Sequence, residues 1–243
     1  MTIKKNVIIE LNHTDLIGNT LTIPKNAEDI DIFYEEGNWL ALNECKNIVV
    51  EDGNTAFYVK DGCLINSNTK TLICGLDNAK IPADGSVETI GHYAFNMRKM
   101  DEITIPETIK EIDYMAFAST DAKKVYIPKS VQKIYPCAFL LNKNINIAVD
   151  SGNLSYNVQG GCLLENGEKI IATFGKNIVI PEGVRSVEKF TFMFANHKSI
   201  TIPASVTQID EDAFIMCEAK IKAPENSYAT KFFKSNNLNI EVI

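Results

Sequence analysis

The residues of this 243-residue chain best equipped for nucleophilic, acid–base or metal chemistry are its three histidines and six cysteines: His13, His92, His197, Cys45, Cys63, Cys74, Cys137, Cys162 and Cys217. A Cys–His nucleophile needs its thiol within hydrogen-bond reach of an imidazole. Cys137 and His92 come nearest to this in register, yet two turns of the chain separate them, roughly 10 Å at the spacing of paired strands. No C-x-x-C occurs, which excludes a zinc ribbon or a thioredoxin-like motif. G-x-S-x-G, a P-loop, H-E-x-x-H, G-x-G-x-x-G and an EF-hand loop are also missing from the sequence. Acidic pairs such as Asp29/Asp31, Asp101/Glu102 and Glu211/Asp212 suit turns and caps better than metal ligation. The sequence therefore predicts no catalytic residue, metal or cofactor, and six unpaired cysteines acting as small apolar side chains.

Charge narrows the partners. With 24 Lys+Arg against 31 Asp+Glu the net charge is −7, so no basic excess is available for nucleic acid or an anionic membrane. A 45% apolar and 23% charged composition is that of a globular protein, and 31 isoleucines against 14 leucines lean toward β structure. No window reaches the roughly 18 apolar residues of a membrane span. The run MTIKKNVIIEL at the start is too short in apolar residues for a secretory signal, so the chain as written reads as unexported and cytoplasmic unless a leader was removed. Asn12-His13-Thr14 and Asn153-Leu154-Ser155 match a glycosylation sequon, which matters only in an exported chain.

The elements that place these side chains follow from a repeat. Ile-Pro recurs at 23–24, 81–82, 105–106, 127–128, 180–181 and 202–203. From residue 81 onward each copy is followed by the frame V/I-x-x-I/V-x-x-x-A-F, as in Ile109-Ile112-Ala116-Phe117 and Val206-Ile209-Ala213-Phe214; one copy has Thr191 where alanine is expected. Ile105 and Ile127 stand 22 residues apart, as do Ile180 and Ile202. Apolar-x-apolar triplets ending at each Ile-Pro read as strands, which proline closes because it has no N–H for the ladder. Pro136 forbids one helix spanning Ile134 and Ala138, so V-x-x-I is extended and Ala-Phe lies on a short helical turn capped by Asp113 or Asp210. Stacking then makes one internal ladder of Phe95, Phe117, Phe139, Phe192 and Phe214.

A longer duplication overlies the repeat. Residues 50–82 align without a gap to 149–181 at a constant offset of 99, matching Gly53 to Gly152 and Cys63 to Cys162. Asp61-Gly62 and Gly160-Gly161 lie between apolar runs, as hairpin turns do. Three segments are expected. Residues 1–47 form an N-terminal cap and degenerate first repeat, 48–223 a solenoid carrying the insertions 50–82 and 149–181, and 224–243 a C-terminal cap with a helix in 227–237.

The copies ITIPETIKEIDYMAF (103–117), VYIPKSVQKIYPCAF (125–139) and ITIPASVTQIDEDAF (200–214) resemble the bacterial BspA-like leucine-rich repeat proteins. The two cassettes and the Ala223-Pro224 tail resemble that family's hairpin insertions and C-terminal cap. The resemblance implies a right-handed, mainly β leucine-rich-repeat solenoid and a binding habit, many members being secreted or surface-exposed interaction proteins. A protein, peptide or glycan is then the expected partner, held along the concave strand face. Outward strand residues Lys80, Thr104, Tyr126, Val179, Thr201 and Lys222, with Glu102 and Lys124 beside them, are the candidate binding row. The alternatives are an architectural segment of a larger assembly and a thiol-dependent enzyme using Cys137 or His92.

Overall fold

The computed structural model describes residues 1–32, 38–142 and 145–243. Its strand triplets pair in parallel from coil to coil in the register that the 22-residue spacing requires, save Ile200 and Ile221, which pair at 21. Ile103 faces Val125 and then Ile147; Ile178 faces Ile200 and then Ile221. At the start of the chain Leu21 and Ile23 pair with Ile48 and Val50. Because side chains alternate across a strand, these residues turn inward and Thr104 and Tyr126 outward. The V-x-x-I segments form a second set of parallel pairs, Ile90 to Ile112 to Ile134 and Val187 to Ile209. The interior lies between the two strand sets and the Ala-Phe turns, and the chain is a β-solenoid.

The Ala-Phe segment is tighter than the short helical turn expected there. It is a succession of hydrogen-bonded turns in which Tyr93 and Met97, Met115, Ser119 and Cys137 take positive φ. Alternate N–H groups close local turns, as Ala94 does to Gly91, while the others reach the next coil: Phe95 donates to Ala116 and Phe117 to Ala138. A helix would keep these bonds within itself, whereas this zigzag shares them between coils and so adds to the stack. Asp210 accepts from the Asp212 N–H as a cap does, whereas the Asp113 carboxylate reaches the adjacent Tyr114 N–H and His92 instead. Ala94, Ala116, Ala138 and Ala213 are buried because each turn lies directly on its neighbour.

The expected single ladder of five phenylalanines is two ladders. Phe95, Phe117 and Phe139 stack at 5.3 and 5.7 Å with rings 5° from parallel. Phe192 and Phe214 stack at 4.9 Å, and Phe233 of the C-terminal helix Tyr228–Ser235 caps that pair edge-on. Phe139 and Phe192 belong to different buried clusters, so the contact expected between them is not made. The second cassette stands between.

Each cassette is a three-stranded antiparallel meander rather than a protruding hairpin. Phe57–Lys60, Cys63–Asn66 and Thr71–Gly75 form the first; Tyr156–Gln159, Cys162–Glu165 and Lys169–Thr173 the second. The two-residue turns Asp61-Gly62 and Gly160-Gly161 have positive φ at both positions, the geometry that suits twisted strands. The third strand of each then pairs in parallel with the V-x-x-I set, Leu72 beside Ile90 and Lys169 beside Ser186. Both faces of the central strands are covered. Cys63 and Ile65 face the following core while Leu64 faces the preceding one, and Cys162, Leu164 and Leu163 repeat the arrangement. Cassettes are walls between cores.

The constant 99-residue offset holds for the first two strands of each cassette only. Cys63 pairs with Gly75 but Cys162 pairs with Thr173, so the third strands correspond at 98. The shorter turn through Asn166 and Gly167, both at positive φ, removes one residue, and Gly175 in the next loop restores it. Without this compensation a one-residue slip would turn every side chain of the strand to the wrong face. Gly75 thereby sits against the Phe95 ring: a Cβ there would lie 1.9 Å from Phe95 Cε1. Gly75→Ala should force the ring out of its stack and cost about 1–3 kcal/mol. A thermal melt of the variant checks this, and an unchanged midpoint would contradict it.

Candidate functional site

On the strand face, Thr104, Tyr126 and Ala148 are register neighbours, as are Val179, Thr201 and Lys222. Lys124 pairs with Asn146 two residues earlier, and Glu102 precedes its strand, both exposed. Lys80 is exposed but outside any strand, its N–H bonded to Asp61 O; Val179 is bonded likewise to Gly160 O. The candidate row is thus in two blocks, each flanked by a cassette's hairpin turn. Tyr126 is 46% and Val179 54% exposed, apolar surface held on an ordered sheet. Tyr126 donates its hydroxyl to Asp150 at 2.5 Å, and Lys222 donates to Glu241 at 3.0 Å. A ring and a cation fixed in this way can meet a partner with little loss of side-chain freedom.

The opposite strand set carries a second feature, which the sequence reading missed. Glu88 is paired with Lys110 at 2.5 Å and Lys70 at 2.6 Å, and Glu111 with Lys133 at 3.4 Å. Lys110, and then Lys70, hold the Glu88 carboxyl down at about 2. Glu88 to Lys110 and Glu111 to Lys133 are both one 22-residue repeat apart, so scanning charges at that spacing would have found them.

The suspected Cys137–His92 couple is not assembled. His92 Nδ1 lies 2.6 Å from Asp113 Oδ2, and burial pushes the Cys137 thiol up to about 11. His197 has both ring nitrogens engaged, with Thr173 Oγ1 at 3.0 Å and Gly175 O at 2.8 Å, and its burial lowers its pKa. Cys63 and Cys162 occupy matching places at the start of the central cassette strands, fully buried, each thiol raised to about 12 by burial. Among the described residues no three His, Cys, Asp or Glu side chains are grouped to hold a metal.

Where the Phe ladder is interrupted a cleft of about 90 Å³ opens, lined by Phe139, Ala172, Phe174, Thr191, Phe194 and Ala195 among others. In the preceding cassette the corresponding residues are Cys74 for Ala172 and Arg98 for Ala195, and the Arg98 side chain is buried against Cys74. Two alanines leave open in the second cassette what an arginine occupies in the first. Thr191 departs from the alanine of the frame because it borders this opening instead of a packed coil.

Stacked 22-residue coils with parallel strands on one side, turns on the other and an aromatic spine define a leucine-rich-repeat protein. Specifically, the chain belongs to the BspA type leucine rich repeat family, matching it over residues 65–162 and 173–241 in six copies. A crystal structure of a leucine-rich repeat protein from Eubacterium ventriosum is similar, with 21% identity, a TM-score of 0.54, and coverage of 86% of this chain and 48% of that one. The pneumococcal vaccine antigen PcpA is similar at 18% identity and TM-score 0.53, covering 83% of this chain and 50% of that one. This chain spans about half the length of each, and the likeness is one of fold. No curated protein matches the sequence. No helix among the described residues is long and apolar enough to cross a membrane.

Proposed function

We propose that this protein is a non-enzymatic interaction module that holds a protein, peptide or glycan against its strand face. The observation that carries the reading is Tyr126, 46% exposed on an ordered sheet with Lys124 beside it and its hydroxyl oriented by Asp150. Tyrosine contributes disproportionately at binding hot spots because its ring offers contact area at low entropic cost.

Peptide and glycan arrays probed with the full chain test it, using Tyr126→Ala/Lys124→Ala as the control. Binding to the captured probes should weaken by about 2 kcal/mol or more. Folding stability should move by less than about 1 kcal/mol, since the Tyr126–Asp150 bond is exposed. Undiminished binding would move the site away from this face. The cleft beside Phe139 and Ala195 is then favoured, as a seat for an apolar side chain of the partner, and Ala195→Trp would close it.

A further inference from the structure

Among the described residues Arg98 is the only charged side chain that the fold buries, at 2% exposure. Its guanidinium reaches under the helix Trp39–Glu44. Nη1 donates to Cys45 O at 3.0 Å and Nη2 to Leu42 O at 2.5 Å, while Nε has no partner. A guanidinium stays charged at any accessible pH, and a buried charge is costly without an anion nearby. No carboxylate of the described residues pairs with it. What lies against Nη2 is two sulfurs, Cys45 Sγ at 3.6 Å and Cys74 Sγ at 3.5 Å. Carbonyl oxygens supply partial charge only, so the acidic protons of these thiols are the available source of a full negative charge.

We propose that Cys45 and Cys74 form an oxidisable dithiol, with Cys45 the attacking sulfur, Cys74 the resolving one, and a small hydroperoxide the oxidant. The two environments differ in the sense these roles require. A hydrogen bond from Cys74, and then the charges of Arg98 and Lys46, bring the Cys45 thiol below its usual range, while Cys45 and burial push Cys74 well above it. In its neutral form Cys45 donates to Leu42 O at 3.0 Å; on losing that proton it is left facing the guanidinium. Among the described residues the other charge acting on Cys45 is that of Lys46, itself paired with Asp77 at 3.7 Å. Both sulfurs are shielded from bulky reagents, at 0% and 2% exposure, which selects for a small oxidant.

The chemistry balances. The Cys45 thiolate attacks the outer peroxide oxygen, the O–O bond breaks, and the alkoxide or hydroxide leaving group takes a proton from solvent. Cys74 then attacks the sulfenic sulfur; an S–S bond forms, the S–O bond breaks, and the thiol proton leaves with the hydroxyl as water. The peroxide is reduced by two electrons and the two sulfurs are oxidised by two. Arg98 is left without its anion, and a covalent link joins Cys45, just past the helix Trp39–Glu44, to the strand Thr71–Gly75.

The experiment treats the reduced full chain with equimolar hydrogen peroxide at pH 7, then denatures it in iodoacetamide for intact-mass and peptide-mass analysis. The expected product carries a Cys45–Cys74 cross-linked peptide, with Cys63, Cys137, Cys162 and Cys217 still alkylated. In Cys74→Ser the reaction should halt at a Cys45 sulfenic acid that dimedone traps. Arg98→Met should slow Cys45 oxidation about tenfold at pH 7, and Arg98→Lys should recover part of the rate. Oxidation that begins at another cysteine, or a Cys45 rate indifferent to Arg98→Met, would overturn the proposal. Should Arg98→Met not fold, the pH profile of Cys45 oxidation in the unaltered chain decides. A midpoint below that of the same cysteine in the denatured chain supports the pair, and a midpoint at or above it refutes the proposal.

Discussion

Phe117→Ala is expected to destabilise the protein by about 3–5 kcal/mol, the largest loss for any single truncation along the spine. Phe117 is fully buried and stacked on both sides, by Phe95 at 5.3 Å and Phe139 at 5.7 Å. Removing the ring forfeits its transfer energy and leaves a cavity that two neighbouring coils, fixed by their own hydrogen bonds, collapse into poorly. Because each coil touches only its neighbours, the loss should not spread evenly. Hydrogen exchange should rise across the core of Ile65 to Ile147 and stay comparatively unchanged over Ile178 to Phe233, beyond the wall formed by the second cassette. Chemical denaturation gives the magnitude and exchange its extent. A cost below about 1 kcal/mol, or uniform exchange from end to end, would contradict the stacked architecture.

Asn153→Ala should cost about 3 kcal/mol for a different reason. Asn153 makes four hydrogen bonds to the backbone. Its amide donates to Pro128 O at 2.9 Å and Val131 O at 3.0 Å, and its carbonyl accepts from Ser155 and Tyr156 N–H at 2.9 and 2.8 Å. Alanine would strand main-chain groups of two coils at once, and unsatisfied groups cost more than the bonds they lose. Asn153→Asp keeps the accepting half but sets a carboxylate oxygen against the carbonyls of Pro128 and Val131. It should therefore cost at least as much as alanine at pH 7 and less once the carboxyl is protonated, a contrast that urea denaturation at the two pH values resolves. Asn54 repeats the pattern with Pro24, Ala27, Ala56 and Phe57. The same geometry bears on the sequon Asn153-Leu154-Ser155: both amide hydrogens are committed to the preceding coil, so a glycan on that nitrogen would break the clamp.

The candidate binding row was legible in part. Spacing alone put Thr104 beside Tyr126 and Val179 beside Thr201, because outward positions follow from strand alternation. What spacing could not show is that the row is divided by the hairpin turns, or that Lys80 lies outside a strand. Asn54 and Asn153 were visible as an identical pair in the duplicated cassettes, but their partners belong to the coil before, and nothing in the local sequence names them.

The sequence by itself determined everything that repeats by translation. A 22-residue period with proline-terminated triplets fixes which isoleucines face one another, which alanines must be small and which phenylalanines stack, since each contact is between a residue and its own equivalent one coil away. Tertiary structure decided what happens where that translation is broken. At the cassettes the neighbours are no longer equivalent residues, so their contacts depend on turn lengths and strand register. The Asn166-Gly167 turn shifts the strand Lys169–Thr173 by one residue, the ladder ends at Phe139, Ala172 and Ala195 leave a cleft, and Arg98 arrives against the sulfurs of Cys45 and Cys74. Each of these is a meeting of residues with no common period, and only the folded chain brings them together.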